Sequence, residues 1–420
     1  MDKFRLILKD KDLRKKILFV LFILALFRVG ADIPIPGVDE ERLASFFAGN
    51  QIFGLLYNFS GGALDNMSIM MLGVGPYITG SIIMQLLTMI FPRLKEIYHE
   101  EGEAGRQKFN QYSRYLTVPL AVLQGFGLLT FLGQQGVLGD LTFFDRATNI
   151  IIITAGSVLL MWLGELISEY GIGNGVSILI FAGIVSGLPQ ALGQTFFAVD
   201  ASQVPVVAVF AAAAVVVIAA VVVITEGQRP IPVSYARRVR GAKMYGGVST
   251  YLPLRVNQAG VIPIIFALSI LLFPQMILNF FSGFSSPAVQ GLVGALLAFF
   301  NSPWIYAAIY FLLVFLFTYF YTAVTFDPEA IATNLQKSGA FVPGIRPGNP
   351  TAEFLYKILN RITLIGAVFL GVIAVLPLVM RALTGLVTLT IGGTALLIVV
   401  SVVLETVKQV EAQIVMRSYE

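Results

Sequence analysis

The chain has no cysteine and a single histidine, His99, among its 420 residues. The missing cysteines exclude disulfides, thiolate nucleophiles and cysteine-ligated metals. Charged residues are also scarce, since they make up 12% of the chain against about a quarter of an ordinary soluble domain. With 57% hydrophobic residues and a mean hydropathy of +0.83, the composition excludes a water-soluble fold and indicates a membrane protein.

Residues for chemistry inside the membrane are missing too. Intramembrane hydrolysis requires a nucleophile with a base, paired aspartates or an HExxH metal motif, and His99 in the loop YHEEGEAGRQ belongs to none of these. The segment GIGNG at 171–175 superficially resembles a phosphate-binding loop, but such a loop follows a strand in a βαβ unit. We interpret GIGNG as a tight turn between two membrane helices. We predict no catalytic residue, no metal site and no cofactor.

Asp, Glu and His are absent from the middle of the predicted spans, and Arg28 lies inside the first span. Ion-coupled transporters and proton pumps usually keep an Asp, Glu or His near the bilayer midplane. The carboxylates of Glu165, Glu169 and Glu405 lie at span ends, where they reach water. A carboxylate proton relay is therefore disfavoured.

Apolar runs long enough to cross about 30 Å of hydrocarbon recur along the chain. Charged and Gly/Pro-rich breaks divide them into about ten helical spans. The fold class that we predict is an all-α polytopic membrane protein, with five spans on each side of a long basic loop, an arrangement that suggests two related halves. The predicted spans lie near residues 17–36, 74–92, 115–133, 148–168, 176–198, 204–225, 257–281, 304–326, 358–380 and 385–407.

These spans divide the chain into five parts. They are a tail at 1–16, an N-terminal half at 17–198, a sixth span with a long loop at 199–256, the last four spans at 257–407 with a loop at 327–357, and a C-terminal tail at 408–420.

The basic residues predict the orientation. Of the 28 Lys and Arg residues, 24 lie in the two tails and in the segments that an even number of spans places on the same side. By the positive-inside rule, both termini are cytoplasmic. The basic start followed by an apolar run is also typical of a secretory signal peptide. No small-x-small cleavage pattern follows the run, so we expect the first span to be retained.

Nine segments, in order along the chain, resemble the SecY family, and the bacterial members fit better than the archaeal or eukaryotic ones. Any single segment could occur by chance in so apolar a chain, but nine in order with the expected topology indicate this family. The segments are IPIPGV (33–38), FSGGAL (59–64), PYITGSIIMQLL (76–87), EGEAGRQKFNQYSRY (101–115), SEYGIGNGVSILIFAGI (168–184), RPIPVSYARRVRG (229–241), STYLPLRVNQAGVIPIIFA (249–267), GAFVPGIRPG (339–348) and IGGTALLIVVSVVLE (391–405).

The resemblance implies two five-helix halves around a central hourglass pore that opens sideways to lipid. It implies a channel that translocates unfolded secretory polypeptides across the bacterial cytoplasmic membrane and releases membrane-protein segments laterally. The implied partners are the SecE and SecG subunits, the SecA ATPase, the ribosome, signal-sequence-bearing polypeptides and membrane lipids.

The resemblance also assigns roles to residues of the pore. The lateral gate would include Gln85 and Asn257, whose amides in hydrocarbon seek partners across a helix interface. Without the resemblance, both would be interpreted as ordinary contacts between helices that never separate. The pore ring would consist of Val74, Ile78, Ile180, Ile265 and Ile398.

The segment after FSGG is too short for a span and matches the family's plug, a small helix that seals the resting pore from outside. The alternative interpretation is an amphipathic surface helix. The residues assigned to the plug are Ala63, Leu64, Asp65, Asn66, Met67, Ser68, Ile69, Met70, Met71 and Leu72.

Two long cytosolic loops carry basic residues that the resemblance assigns to docking of SecA or a ribosome. Topology alone also predicts basic cytosolic loops, so length is the distinguishing feature. The residues are Arg237, Arg238, Arg240, Lys243 and Arg346, of which Arg240 and Arg346 are the first candidates.

A secondary transporter for a small solute is the main competing hypothesis, because ten spans suit it equally well. The missing midplane ionisable residue, the plug-like segment and the long cytosolic loops favour the channel instead.

Overall fold

The computed structural model describes residues 10–37, 67–99, 101–134, 136, 138, 142–198, 204–235, 238–240, 243–245, 249–282, 287–384 and 392–417. The helices are α1 (Lys11–Ala31), α2 (Gly75–Ile90), α3 (Pro92–His99), α4 (Gly102–Gln134), α5 (Phe143–Tyr170), α6 (Gly175–Ala198), α7 (Val204–Glu226), α8 (Ile262–Ser282), α9 (Pro287–Asn301), α10 (Pro303–Thr325), α11 (Pro328–Lys337), α12 (Asn349–Thr384) and α13 (Gly392–Arg417). The strands are β1 (Gln228–Tyr235), β2 (Arg238–Arg240), β3 (Lys243–Tyr245), β4 (Ser249–Arg255) and β5 (Ala340–Phe341).

Each of the ten predicted spans overlaps one helix, and the chain is a multi-pass membrane protein whose membrane part is helical. Four helical segments are long and apolar enough to cross a membrane by themselves, among the residues that the structure describes. A fifth is counted if α2 and α3, which meet at a bend of 116°, form one broken span. The long segments are Gly102–Gly133, Phe143–Tyr170, Pro303–Lys337 and Asn349–Met380.

The first helix begins and ends earlier than predicted. Asp10 caps its N-terminus, since the Asp10 carboxylate accepts hydrogen bonds from the backbone N–H groups of Asp12 and Leu13, at 2.9 and 3.3 Å. The end of the predicted tail is therefore helical. At the other end Pro34 leaves the helix and forms a β-bridge with Ser68, so the predicted span 17–36 was wrong at both boundaries.

The two long segments 226–256 and 327–357, which the sequence analysis treated as loops and predicted to be cytosolic, contain a small antiparallel sheet. Strand β1 pairs with β4 from Gln228↔Arg255 to Ser234↔Ser249. Strand β5, from the second segment, joins the other edge of β1 through Ser234↔Phe341, so the strand order is β4-β1-β5.

A separate apolar cluster, the sheet core, fixes this sheet to the membrane helices. Ile231 and Leu254 of the sheet pack with Val342 and with Leu355 and Ile362 of α12, and all five are buried. The described residues of segments 226–256 and 327–357 consequently form one folded unit, which we name the cytosolic unit after the side of the membrane that the sequence predicts for it.

The GIGNG segment is the tight turn that the sequence predicts. Gly173 has φ +90°, a conformation that favours glycine. A Cβ on Gly175 would collide with the backbone carbonyl oxygen of Gly164, so only glycine lets α6 start this close to α5. The Asn174 side chain accepts a hydrogen bond from the Ser177 N–H at 3.1 Å and supports the first turn of α6.

The helices before residue 199 and those after residue 203 meet along two seams. Along one, α8 packs against both α2 and α4. Along the other, α13 packs against α6. Within the second group, Lys408 on α13 pairs with Glu226 at the end of α7, with 2.8 Å between Nζ and Oε1.

Candidate pore and lateral gate

The five predicted ring residues lie together in one buried apolar cluster, the main core. None of the five is more than 7% exposed. Val74 is the N-cap of α2 and Ile78 lies one turn later, while the others come from three further helices. The members by element are Val74 and Ile78 on α2, Ile180 on α6, Ile265 on α8 and Ile398 on α13.

Local hydrogen bonds position Ile78 and Ile265 in this cluster. The Ile78 N–H donates to the Val74 carbonyl at 3.1 Å, so the two side chains lie on one face of the first turn of α2. Ile265 follows a turn at 257–261, in which the Asn257 amide donates to the Gly260 carbonyl at 3.1 Å. That turn sets where α8 begins.

All five predicted ring residues have branched aliphatic side chains. None of the five side chains can donate or accept a hydrogen bond. A polypeptide that passed between these residues would meet no fixed polar partner among them, and a narrow constriction made of such groups would exclude water and ions by dewetting.

The predicted gate residues lie on α2 (Gln85) and in the turn before α8 (Asn257), and they do not bond to each other. Gln85 Oε1 and Asn257 Oδ1 are both buried and have no hydrogen-bond partner. Any bond between the two amides would have to use one of these oxygens, so the amides are separate. The Asn257 nitrogen bonds within its own turn, and the gate role of the two residues stays a prediction.

The predicted plug falls partly outside the described residues, at Ala63 to Asn66. Met67 to Leu72 are described, and they form turns and one β-bridge instead of the small helix that was expected. The Ile35 N–H donates to the Met67 carbonyl and the Ile69 N–H to the Ile33 carbonyl, both at 2.9 Å. These bonds hold the segment against the chain that follows α1, which is why a helix does not form here.

Helix α5 forms the other wall of this segment. The Ser157 hydroxyl donates to the Gly73 carbonyl at 3.0 Å. The backbone of Ile69 lies so close to Gly156 that a Cβ there would collide with the Ile69 carbonyl oxygen. We name residues 67–74 the anchor segment, because backbone contacts fix it to the chain that follows α1 and to α5.

Sequence reasoning missed the α5 residues of this contact. Their signal is the run TAGS at 154–157, in which small residues interrupt an apolar span. Small residues in membrane helices mark close approach of another backbone, but the sequence does not show which backbone that is.

The predicted docking residues lie on two parts of the cytosolic unit, except Arg237, which is outside the described residues. Arg238, Arg240 and Lys243 are on the hairpin β2–β3, with Arg240 paired to Lys243. Arg346 is exposed in the turn between β5 and α12. Its carbonyl oxygen accepts a hydrogen bond from the Thr351 hydroxyl at 2.8 Å, which fixes the tip of this turn.

The sequence matches the SecY family model over residues 68–407. Among curated proteins it is 45% identical to the protein translocase subunit SecY of Corynebacterium glutamicum, over 98% of this chain and 97% of that protein. It is 45% identical to the same subunit of Mycobacterium tuberculosis and 46% identical to that of Streptomyces galbus, each over 98% of this chain and 97% of the other.

Solved structures show the same fold at lower sequence identity. A protein-conducting channel matches with a TM-score of 0.65 at 19% identity, over 94% of this chain and 91% of that one. Sec61 in a canine ribosome–channel complex from the endoplasmic reticulum matches with a TM-score of 0.62 at 20% identity, over the same shares of 94% and 91%.

Proposed function

The chain belongs to the SecY family and is a protein-translocation channel, and we propose that unfolded secretory polypeptides cross the bacterial cytoplasmic membrane through its ring of branched aliphatic residues. The observation that supports this proposal is that the five branched residues come from four different helical elements and are all buried in the same apolar cluster. They are Val74, Ile78, Ile180, Ile265 and Ile398. Substrates that differ in every side chain need a passage without fixed polar partners, and these five residues supply one.

The absence of cysteine allows a direct test of the path. The variant Ile78→Cys is reconstituted with its co-purifying subunits, and a secretory precursor carrying one cysteine is stalled in mid-export under oxidising conditions. A disulfide between the introduced ring thiol and the precursor is expected. Leu312→Cys, on the exposed side of α10, serves as the control and should form no disulfide. Failure of the ring position to react with stalled precursors, at several cysteine positions along them, would contradict this path.

We assign the lateral gate to the seam between α8 and the pair α2 and α4. The unpartnered oxygens of Gln85 and Asn257 beside this seam support the assignment. A buried amide oxygen without a hydrogen bond costs about 1–3 kcal/mol. Separation of the helices would let both oxygens bond to water or to a passing chain, which lowers the cost of opening.

The contacts of the anchor segment limit which of the predicted plug residues can move. Met67 and Met71 pack in a cluster with Ile35 and Leu128, and Met70 packs in the main core. A plug that leaves the pore when the channel opens would have to break these packing contacts, which would make opening energetically unfavourable. We therefore propose that Met67 to Leu72 form a fixed base of the plug and do not leave the pore.

The cytosolic unit is the proposed docking surface for SecA or a ribosome. Its hairpin residues Arg238 and Arg240 and its tip residue Arg346 supply clustered positive charge, which ribosomal RNA and acidic protein surfaces attract. SecE and SecG are the proposed membrane subunits. Co-purification of a small protein with one to three spans from native membranes would support them, and purification of this chain alone would contradict them.

The orientation follows from the distribution of basic residues. With both termini and the cytosolic unit on the cytoplasmic side, 24 of the 28 Lys and Arg residues face the cytosol.

A further inference from the structure

Helix α9 takes no part in the pore, the gate or the cytosolic unit, and the sequence analysis placed no helix there. It contains 15 residues, Pro287–Asn301. At about 1.5 Å per residue it is too short for the roughly 30 Å of hydrocarbon that a span must cross. It packs against α8 on one side of the connection and α10 on the other.

One face of α9 is exposed and apolar. Leu292, Leu296 and Phe299 are 62%, 38% and 47% exposed, and their spacing places them along one side of the helix. Val293, at 4% exposed, lies on the side that packs against the protein. The exposed stripe therefore consists of large side chains that water solvates poorly.

The sequence around α9 carries no charge. No Asp, Glu, Lys, Arg or His occurs between Arg255 and Asp327. A helix that lies on a protein surface in water normally has charged residues on its outer face. The outer face of α9 is accordingly better suited to contact with lipid than with water.

The neighbouring spans also expose large apolar side chains. Ile277 on α8 and Leu312 on α10 are 41% and 54% exposed. Trp304, in the first turn of α10 and just after α9, is 62% exposed. Tryptophan is enriched at the membrane–water interface, where its ring spans the headgroup level. This places α9 at the depth of the interface.

We propose that α9 is a lipid-binding helix that lies along the outer membrane–water interface, with Leu292, Leu296 and Phe299 among the acyl chains of the outer leaflet. The proposal rests on the orientation given above for its side of the membrane. The expected depth of the stripe is about 5–10 Å below the headgroups. Because α9 joins α8 and α10, its insertion sets the height at which the outer ends of both helices lie beside the proposed gate.

Single cysteines test the depth without interference, since the chain has none of its own. Leu292→Cys, Leu296→Cys and Phe299→Cys are each labelled with a small fluorophore in the full complex and reconstituted into phosphatidylcholine–phosphatidylglycerol vesicles. Quenching is compared for lipids with a nitroxide near the headgroup and lipids with one near the end of the acyl chain. Leu312→Cys, on the exposed side of α10, is the deep control, and Ala330→Cys, exposed on α11, is the aqueous control.

The shallow nitroxide should quench all three α9 labels more strongly than the deep one does. The order should reverse at position 312, and neither nitroxide should quench position 330. Labels on α9 that resist both quenchers would overturn the proposal, because the stripe would then face water or a protein subunit. Stronger quenching by the deep nitroxide would also overturn it, in favour of a helix that dips into the hydrocarbon. Export by the same labelled complexes is measured in parallel, so that failure of the channel function is distinguished from failure of the lipid contact.

Discussion

At the scale of single residues, the ring is notable for the origin of its members. Val74, Ile78 and Ile180 come from the first five spans, and Ile265 and Ile398 come from the last five. Buried aliphatic residues are common in every membrane protein, and most of them join neighbouring helices of the same group. Because its residues come from both the first five and the last five spans, this cluster can open or close when the two sets of spans move relative to each other.

Asparagine in the ring should make the resting channel leak. Ile78→Asn, Ile265→Asn and Ile398→Asn each place an amide where the waist is otherwise apolar, so water enters and the barrier to ions falls. Resting ion flux in proteoliposomes should rise, and precursors with weakened signal sequences should be exported. Ile78→Leu, which keeps the apolar surface, is the matched control and should stay sealed. Tight seals and unchanged signal stringency in all three Asn variants would place the constriction elsewhere.

A second residue-scale prediction concerns the anchor segment. Alanine at Gly156 would collide with the Ile69 carbonyl oxygen, so the segment must shift, at a cost of about 1–3 kcal/mol typical of overpacking. Gly156→Ala should lower the melting temperature of the complex and raise its resting ion flux. Gly193→Ala, on α6 with no atom within 4 Å of the added Cβ, is the control. Equal seals in the two variants would show that the anchor segment does not support the plug.

At the scale of elements, the spans were easier to predict than what joins them. Ten helices were found from apolar runs, because lipid forces every backbone hydrogen bond of a span to be made within it. The β1–β4 pair was missed because prolines and arginines in QRPIPVSY and STYLPLR hide the alternation of a strand. Helix α9 was missed because the sequence near it has no charge to mark its ends.

For the candidate site, as for the fold, the sequence indicated the main residues but not the contacts between distant segments. The five ring positions were assigned by family resemblance; all five are buried in the main core, and their role as a pore ring stays a prediction. The separate amides of Gln85 and Asn257 could not be foreseen, since the bond from Asn257 to Gly260 depends on a local turn. The bonds from Ile35 to Met67 and from Ile69 to Ile33 join segments distant in sequence, which no local pattern reports.

The junction between the cytosolic sheet and the membrane helices supports a prediction for α12. A Cβ on Gly366 would lie 2.8 Å from the carbonyl oxygen of Val256, beside the turn that leads into α8. Gly366→Ala should displace this turn and reduce partner-driven export, while partner binding to the cytosolic unit stays near normal. Binding and export are measured on the same proteoliposomes, with Gly193→Ala as the control. Loss of binding together with export would show that Gly366 only supports the docking surface.

At the scale of the whole molecule, positive charge and apolar surface are kept apart. Basic residues concentrate on the proposed cytosolic side, and the region from α8 to α10 has no charge at all. The proposed cytosolic side is thus suited to binding polar macromolecules, and the surfaces of α8 to α10 are suited to contact with lipid.

Reversal of charge on the cytosolic unit should impair docking without opening the channel. Arg346→Glu and Arg240→Glu each remove a positive charge and add a negative one on the docking surface. SecA-driven export should fall, and the fall should be larger at low salt, where charges are less screened. Resting ion flux should not change, because neither residue belongs to the main core. Arg14→Glu, exposed on α1, is the control, and full export by both loop variants would exclude their docking role.

Strand β5 adds to β1 from a separate segment of the chain, and this pairing affects how mutations in the two segments combine. Residues in one network do not contribute additively to stability, and double-mutant cycles between them give interaction energies of about 0.5–3 kcal/mol. Ile231 and Val342, which share the sheet core, should show such an interaction. The two positions are also expected to covary among relatives, so a substitution tolerated in one homologue can be deleterious when transferred alone into another.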